Sequence, residues 1–243
     1  MLRLIRSDPA LSRFDGRFFE RDALFWPLSR AAGLFAEYTQ WPEVAEYDRL
    51  FEGRESPVRF ELQAEVRAPK PPRRADSLYD ACIMQGRVPT RAGCWHDFLN
   101  ALVWATFPRA KRALHARQHA VVGRWLAAHG SVADDGSIAR LPNARTREHD
   151  ALALIDEGGV VVLSRGAERR CVVFGHAIFE GLVMHTPSMI ARAVEIDASA
   201  APVAADAADA AWLGWVDERL ADRIAGPLSP ELLPRLPLVE ARS

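Results

Sequence analysis

C-W-H-D-F-L-N-A-L-V-W-A-T-F-P, residues 94 to 108, is the stretch on which the reading of this chain turns. Trp95, Phe98, Leu99, Leu102 and Val103 recur at three- and four-residue spacing, so in a helix they form one apolar stripe facing a core. His96 and Asn100 are four apart and Asp97 and Asn100 three apart, which puts these side chains on a neighbouring polar face. Val103, Trp104 and Phe107 make the second half apolar nearly all round, the pattern of a buried helix. Pro108 limits it, because the residue before a proline is pushed out of the helical region.

Outward from this helix, residues 111 to 128 predict a second one that makes a helical hairpin with the first. Its His115 and His119 are four apart but lack the intervening Glu of a zincin motif, and read as solvated or capping groups. Upstream, Val88-Pro89-Thr90-Arg91 reads as a loop, and Pro57 to Val66 alternates apolar and polar residues as a half-exposed strand does. Downstream, D-A-L-A-L-I-D-E-G-G-V-V-V-L-S, residues 150 to 164, reads as a β-hairpin, with Asp156, Glu157 and two glycines at the turn. A strand from Arg170 to Phe174 leads into F-G-H-A-I-F-E, where His176 and Glu180 share one helical face. Short helices are expected over 18–25, 27–38, 42–51, 78–85 and 186–191, an edge strand over 193–196 and a final helix over 210–224. Extended linkers are expected at 68–75 and 199–209, and an extended tail across the body at 227–237.

These elements predict an α+β fold, mainly helical with a small, mostly antiparallel sheet. The 243 residues suit one domain, with a helical cap over about 1–56, a core over about 57–197 and a C-terminal helix and tail over about 205–243. A net charge of −1 gives no overall electrostatic case for nucleic acid; only Arg87, Arg91, Arg109 and Arg112, which bracket the central helix, speak for it. No apolar run is long enough to span a bilayer. Three scattered cysteines exclude a disulfide framework and point to a reducing cytoplasm. Lys occurs only at 70 and 111, the other basic residues being Arg, which genome composition accounts for. No phosphate loop, nucleophile elbow or internal repeat is present.

Four segments together carry a resemblance: V-P-T-R at 88–91, W-H-D-F-L-N-A-L-V-W-A-T-F-P at 95–108, D-A-L-A-L-I-D-E-G-G-V at 150–160 and F-G-H-A-I-F-E at 174–180. From about Tyr79 to Leu182 the chain resembles a bacterial family catalogued as domain of unknown function 3025. Cys94 stands where that family suggests Asn, and Gly181 where it suggests a polar residue. The resemblance implies kinship; the family brings no assigned activity, cofactor or partner, and so no catalytic residue.

Two functional readings stay open. In the first the protein is a metal-assisted hydrolase acting on a small molecule. His96, His176 and Glu180 hold one divalent transition metal, Asp97 is the base or backs a ligand, and Asn100 and Arg91 complete the catalytic set. In the second the protein is structural or an interaction partner, and the same residues form a buried hydrogen-bond network without metal. Both require that the 95–108 and 174–180 signatures meet in space.

Overall fold

A computed structural model describes residues 13–63, 74–129, 132–133, 135–138, 146–186, 188–201 and 210–242. Most of the expected linkers at 68–75 and 199–209 lies outside the described residues.

The cap is built of short helical pieces, with 3₁₀ turns at Phe18–Glu20, Ala23–Leu28, Gly33–Phe35 and Val44–Phe51 around one α-turn, α1 (Ser29–Ala32). Pro27 lies inside a 3₁₀ segment and not at a helix start, so the expected restart at that residue does not occur. Strand β1 (Arg59–Leu62) pairs in parallel with β2 (Arg87–Thr90) across the short helix α2 (Tyr79–Met84). The V-P-T-R segment is therefore a strand and not a loop: Pro89 sits in a two-stranded edge where its missing N–H is tolerated.

The central helix is α3 (Trp95–Thr106), followed after Phe107 by α4 (Pro108–Ala128). Pro108 ends one helix and opens the next, since its fixed φ and missing N–H suit a first helical position. Asp217 supplies the side-chain acceptors that this start needs, its two oxygens taking the amides of Arg109 and Ala110 at 3.0 and 2.8 Å.

The stretch expected to be a hairpin is instead a helix running into a strand: α5 (Arg147–Gly158) feeds β3 (Gly159–Arg165) without a turn. Thr146 caps the helix by accepting from the His149 amide, and Ala151, Leu152 and Ile155 are its fully buried face. Antiparallel β4 (Glu168–Val173) then pairs with β3, α6 (His176–Val183) crosses over, and β5 (Ile190–Asp197) joins β3 in parallel. No helix forms over 186–191 among its described residues, where β5 already begins at Ile190. Nor is β5 an edge strand. The tail contributes β6 (Arg235–Pro237) antiparallel to it after the last helix, α7 (Ala210–Ala225), giving the order β4-β3-β5-β6. Two of the three pairings in this sheet are antiparallel, and the whole is α+β and mainly helical.

One continuous apolar cluster runs from Phe14 to Ala241. Aromatic rings of the cap close around α3: Phe14, Phe18, Phe35, Trp41 and Tyr47 all lie with centroids 4.9–6.3 Å from those of Trp95, Phe98 or one another. Phe25 stacks on Phe179 of α6. These rings are core, and they clamp α3 so that its polar face is turned to α5 and α6.

Candidate functional site

The two signatures meet. Helices α3 and α6 pack together with the end of α5 beside them, and each presents its polar face to one cleft of about 250 Å³. It is lined by Gln63, Tyr79, Pro89, Arg91, His96, Asp97, Asn100, Asp156, Glu157 and His176. A larger hollow, about 460 Å³, lies on the cap among Arg13, Arg17, Arg21 and Asp15, but there Arg17 pairs with Glu37 and Arg21 with Asp15. The smaller cleft is where unlike groups converge.

Glycine makes the convergence possible. A Cβ on Gly175 would stand 2.5 Å from the Glu157 carbonyl oxygen and 2.6 Å from the amides of Gly158 and Gly159, so only a bare backbone lets the start of α6 lie against the end of α5. The amides of Phe174 and Gly175 both donate to the Gly159 carbonyl there. His176 thereby sits next to Asp156 and Glu157, the residues expected at a hairpin turn.

The ring geometry is specific. Nε2 of His96 lies 3.0 Å from Nε2 of His176, a contact that needs one proton between the two nitrogens. Nδ1 of His96 lies 2.9 Å from Oε2 of Glu180, and Nδ1 of His176 faces Oδ1 of Asp156 at 3.8 Å. Glu157 Oε2 is 3.5 Å from His176 Nε2. One donor atom from each of His96, His176 and Glu157 thus falls within a 4.8 Å span, an arrangement able to hold a metal ion. Glu180, expected to share one metal with His96 and His176, lies on α6 as expected, but its carboxylate meets Nδ1 of His96, the nitrogen turned away from His176.

The electrostatics differ sharply between the two histidines. The hydrogen bond to Glu180 raises the His96 pKa, against partial burial. Burial lowers that of His176 to about 3, so its ring is neutral. Glu157 is raised, by burial first and then by the charge of Asp156. Burial also opposes the charge on Asp156, yet Lys111 and the neighbouring histidines hold its pKa well below the usual carboxylate range. Lys111 is fully buried, its Nζ 2.5 Å from Asp156 Oδ1.

The remaining expected residues line the same cleft in other partnerships. Asp97 accepts from the Arg91 amide, Nε and Nη2 at 2.6–2.9 Å, a bidentate pair that occupies both carboxylate oxygens. Arg91 holds the Asp97 pKa below its ordinary value despite burial. Asn100 donates to the Tyr79 hydroxyl at 3.2 Å. His115 is not solvated: it is 1% exposed, bonded to Asp80 at 2.9 Å and stacked on Trp104. Three of the four arginines around the central helix are committed to acids, Arg87 to Glu61, Arg91 to Asp97 and Arg109 to Glu218. Among the described residues no helix is long and apolar enough to cross a membrane.

Sequence reasoning put Asp156 and Glu157 at a turn, as metal or base candidates only secondarily, and gave Lys111 no role. The available signal was the Thr146 cap followed by apolar residues at 151, 152 and 155, a helical spacing that puts the acidic pair on its last turn.

No curated protein and no solved structure matches the chain. A family model does match, over residues 66–169, a span that includes His96, Lys111, Asp156 and Glu157 and stops short of His176. That model is of the family described as protein of unknown function (DUF3025), and over the matched residues the chain is similar to it, in keeping with the segments quoted above.

Proposed function

We propose that the protein is a metal-assisted hydrolase in which His96, His176 and Glu157 bind one divalent transition metal and leave a coordination position open to the cleft. The observation that carries this is the convergence of both Nε2 atoms and Glu157 Oε2 with a carboxylate behind His96. Two nitrogens each about 2.0–2.1 Å from one ion, at an angle near 95–110°, sit roughly 3.0–3.4 Å apart, and the observed separation is 3.0 Å. A carboxylate on the far nitrogen of a ligating histidine fixes its tautomer and raises its basicity, which is the part Glu180 fits. Two His and one carboxylate with an open position is a ligand set of hydrolytic zinc sites, where the ion lowers the pKa of bound water and polarises a carbonyl or phosphoryl oxygen.

In this reading Arg91 and Asp97 brace the wall between β2 and α3. With both its oxygens engaged, Asp97 is poorly placed to act as a base. Asn100 and Tyr79 offer hydrogen bonds to a small substrate in a cleft of about 250 Å³.

A metal-free structural network is the second reading. It is favoured by the 3.0 Å contact itself, which one proton satisfies as well as an ion does. The deciding experiment is elemental analysis of untagged protein: near-stoichiometric transition metal that His176→Ala loses supports the hydrolase. A metal-free protein whose melting is unaffected by chelator overturns it.

A further inference from the structure

Lys111 is a strange residue to find inside this protein. Lys occurs at only one other position, residue 70, and the chain uses Arg everywhere else that it needs a cation. Yet Lys111 has no exposed surface. Its Nζ contacts Asp156 at 2.5 Å and lies 5.6 Å from the Trp104 ring centroid. A buried ion pair is seldom more stabilising than apolar residues of the same volume, so stability alone is a weak reason for it. A compact ammonium fits where a planar guanidinium with five donors would leave several unsatisfied.

The pair has a direction. Lys111 on α4 meets Asp156 on α5; the same Oδ1 that meets Lys111 faces Nδ1 of His176 on α6, 3.8 Å away; and Nε2 of that ring points at His96. On the other side, Glu180 stands behind Nδ1 of His96. Each histidine therefore has a carboxylate at its Nδ1 and its Nε2 in the cleft. At 3.8 Å Asp156 is beyond hydrogen-bond range, but its charge still favours the proton on the nearer nitrogen.

Resting on the metal-site reading, we infer that Lys111 and Asp156 are positioning residues: Lys111 anchors the Asp156 carboxylate, and that carboxylate selects the His176 tautomer with its proton on Nδ1 and its Nε2 lone pair aimed into the cleft. Neither residue is one of the three ligands. Their work is done through His176.

The test has two readouts on the full chain. In metal-free protein, ¹⁵N NMR of the His176 ring should show the proton on Nδ1. Cobalt(II) titration then gives the metal affinity. The double variant Lys111→Met, Asp156→Asn removes both charges together and so leaves no lone buried ion. It should give a mixed His176 tautomer and cobalt(II) binding about 10–100-fold weaker, the cost usual for losing a group behind a ligand. Asp217→Asn, a buried carboxylate capping α4, should change neither readout. A wild-type His176 protonated on Nε2 overturns the inference, as does a folded double variant with unchanged tautomer and affinity. Should the double variant fail to fold, the wild-type tautomer still decides. Should wild type bind no cobalt(II), the metal site fails, while the tautomer, read without metal, judges this inference separately.

Discussion

Nε2 of His96 and Nε2 of His176 approach to 3.0 Å across 80 residues of sequence, and the carboxylates beside the two rings come from a third helix, α5, and from α6 itself. Around that contact the residues fall into two ranks. His96, His176 and Glu157 turn donor atoms toward one point, whereas Glu180 and Asp156 stand at the far ring nitrogens.

That division is measurable. His96→Ala, His176→Ala and Glu157→Ala should each abolish stoichiometric binding of cobalt(II) or zinc(II). Glu180→Gln should leave a site that binds about 10–100-fold more weakly. Calorimetric titration separates the two classes, and a Glu180 variant with no binding would return that residue to the ligand set.

The central helix should be indispensable to folding whatever the chemistry. Phe98 and Trp104 are both 0% exposed, so Phe98→Ala or Trp104→Ala should cost on the order of 3–5 kcal/mol in denaturant unfolding. An unchanged midpoint for either would mean the core has been misplaced.

Glycines at the junction of α5, β3 and α6 should respond in opposite directions. Gly175→Ala puts a methyl into backbone atoms at 2.5–2.6 Å that cannot move aside alone, for an expected loss of about 1–3 kcal/mol. Gly158, the last residue of α5, has nothing within 4 Å of its would-be Cβ, and Gly158→Ala should stabilise by roughly 0.4–1 kcal/mol. Thermal unfolding of the two variants side by side is the check.

Stability should also fall between about pH 4 and 6 for a reason remote from the cleft. Burial raises the pKa of Asp217 from 3.8 to about 6, outweighing its two amide partners. Below that window both folded and unfolded chains hold this proton; within it only the folded chain does, so folding weakens as pH rises, by up to about 3 kcal/mol. Asp217→Asn keeps an acceptor for the helix start and should flatten this component of the profile, as denaturant curves at pH 4, 5 and 6 would show.

What could be read from sequence was what helical periodicity encodes. It placed α3, gave its stripe of Trp95, Phe98 and Leu102, and put His96 on one face with Asn100 and His176 on one face with Glu180. Periodicity says nothing of which faces meet across space, nor does it separate neighbours such as His96 and Asp97. About 100° apart on the helix, these two take unrelated partners, Glu180 and Arg91. Glu157 was hidden because Asp-Glu-Gly-Gly has the chemistry of a turn. Here the glycines carry the end of α5 straight into β3 instead: a Cβ on Gly159 would fall 2.5 Å from the Ile155 carbonyl oxygen of the last helical turn, while Gly158 meets nothing. The scarcity of Lys was visible, but only burial gives it meaning.

The complete enclosure of Lys111 also makes this protein its own reporter of breathing motions. An amine-acylating reagent can reach Nζ only when α4 and α5 separate, and just one other lysine in the chain competes for it. The rate at which the peptide around residue 111 gains mass would time the opening of the wall behind the site, with no residue changed.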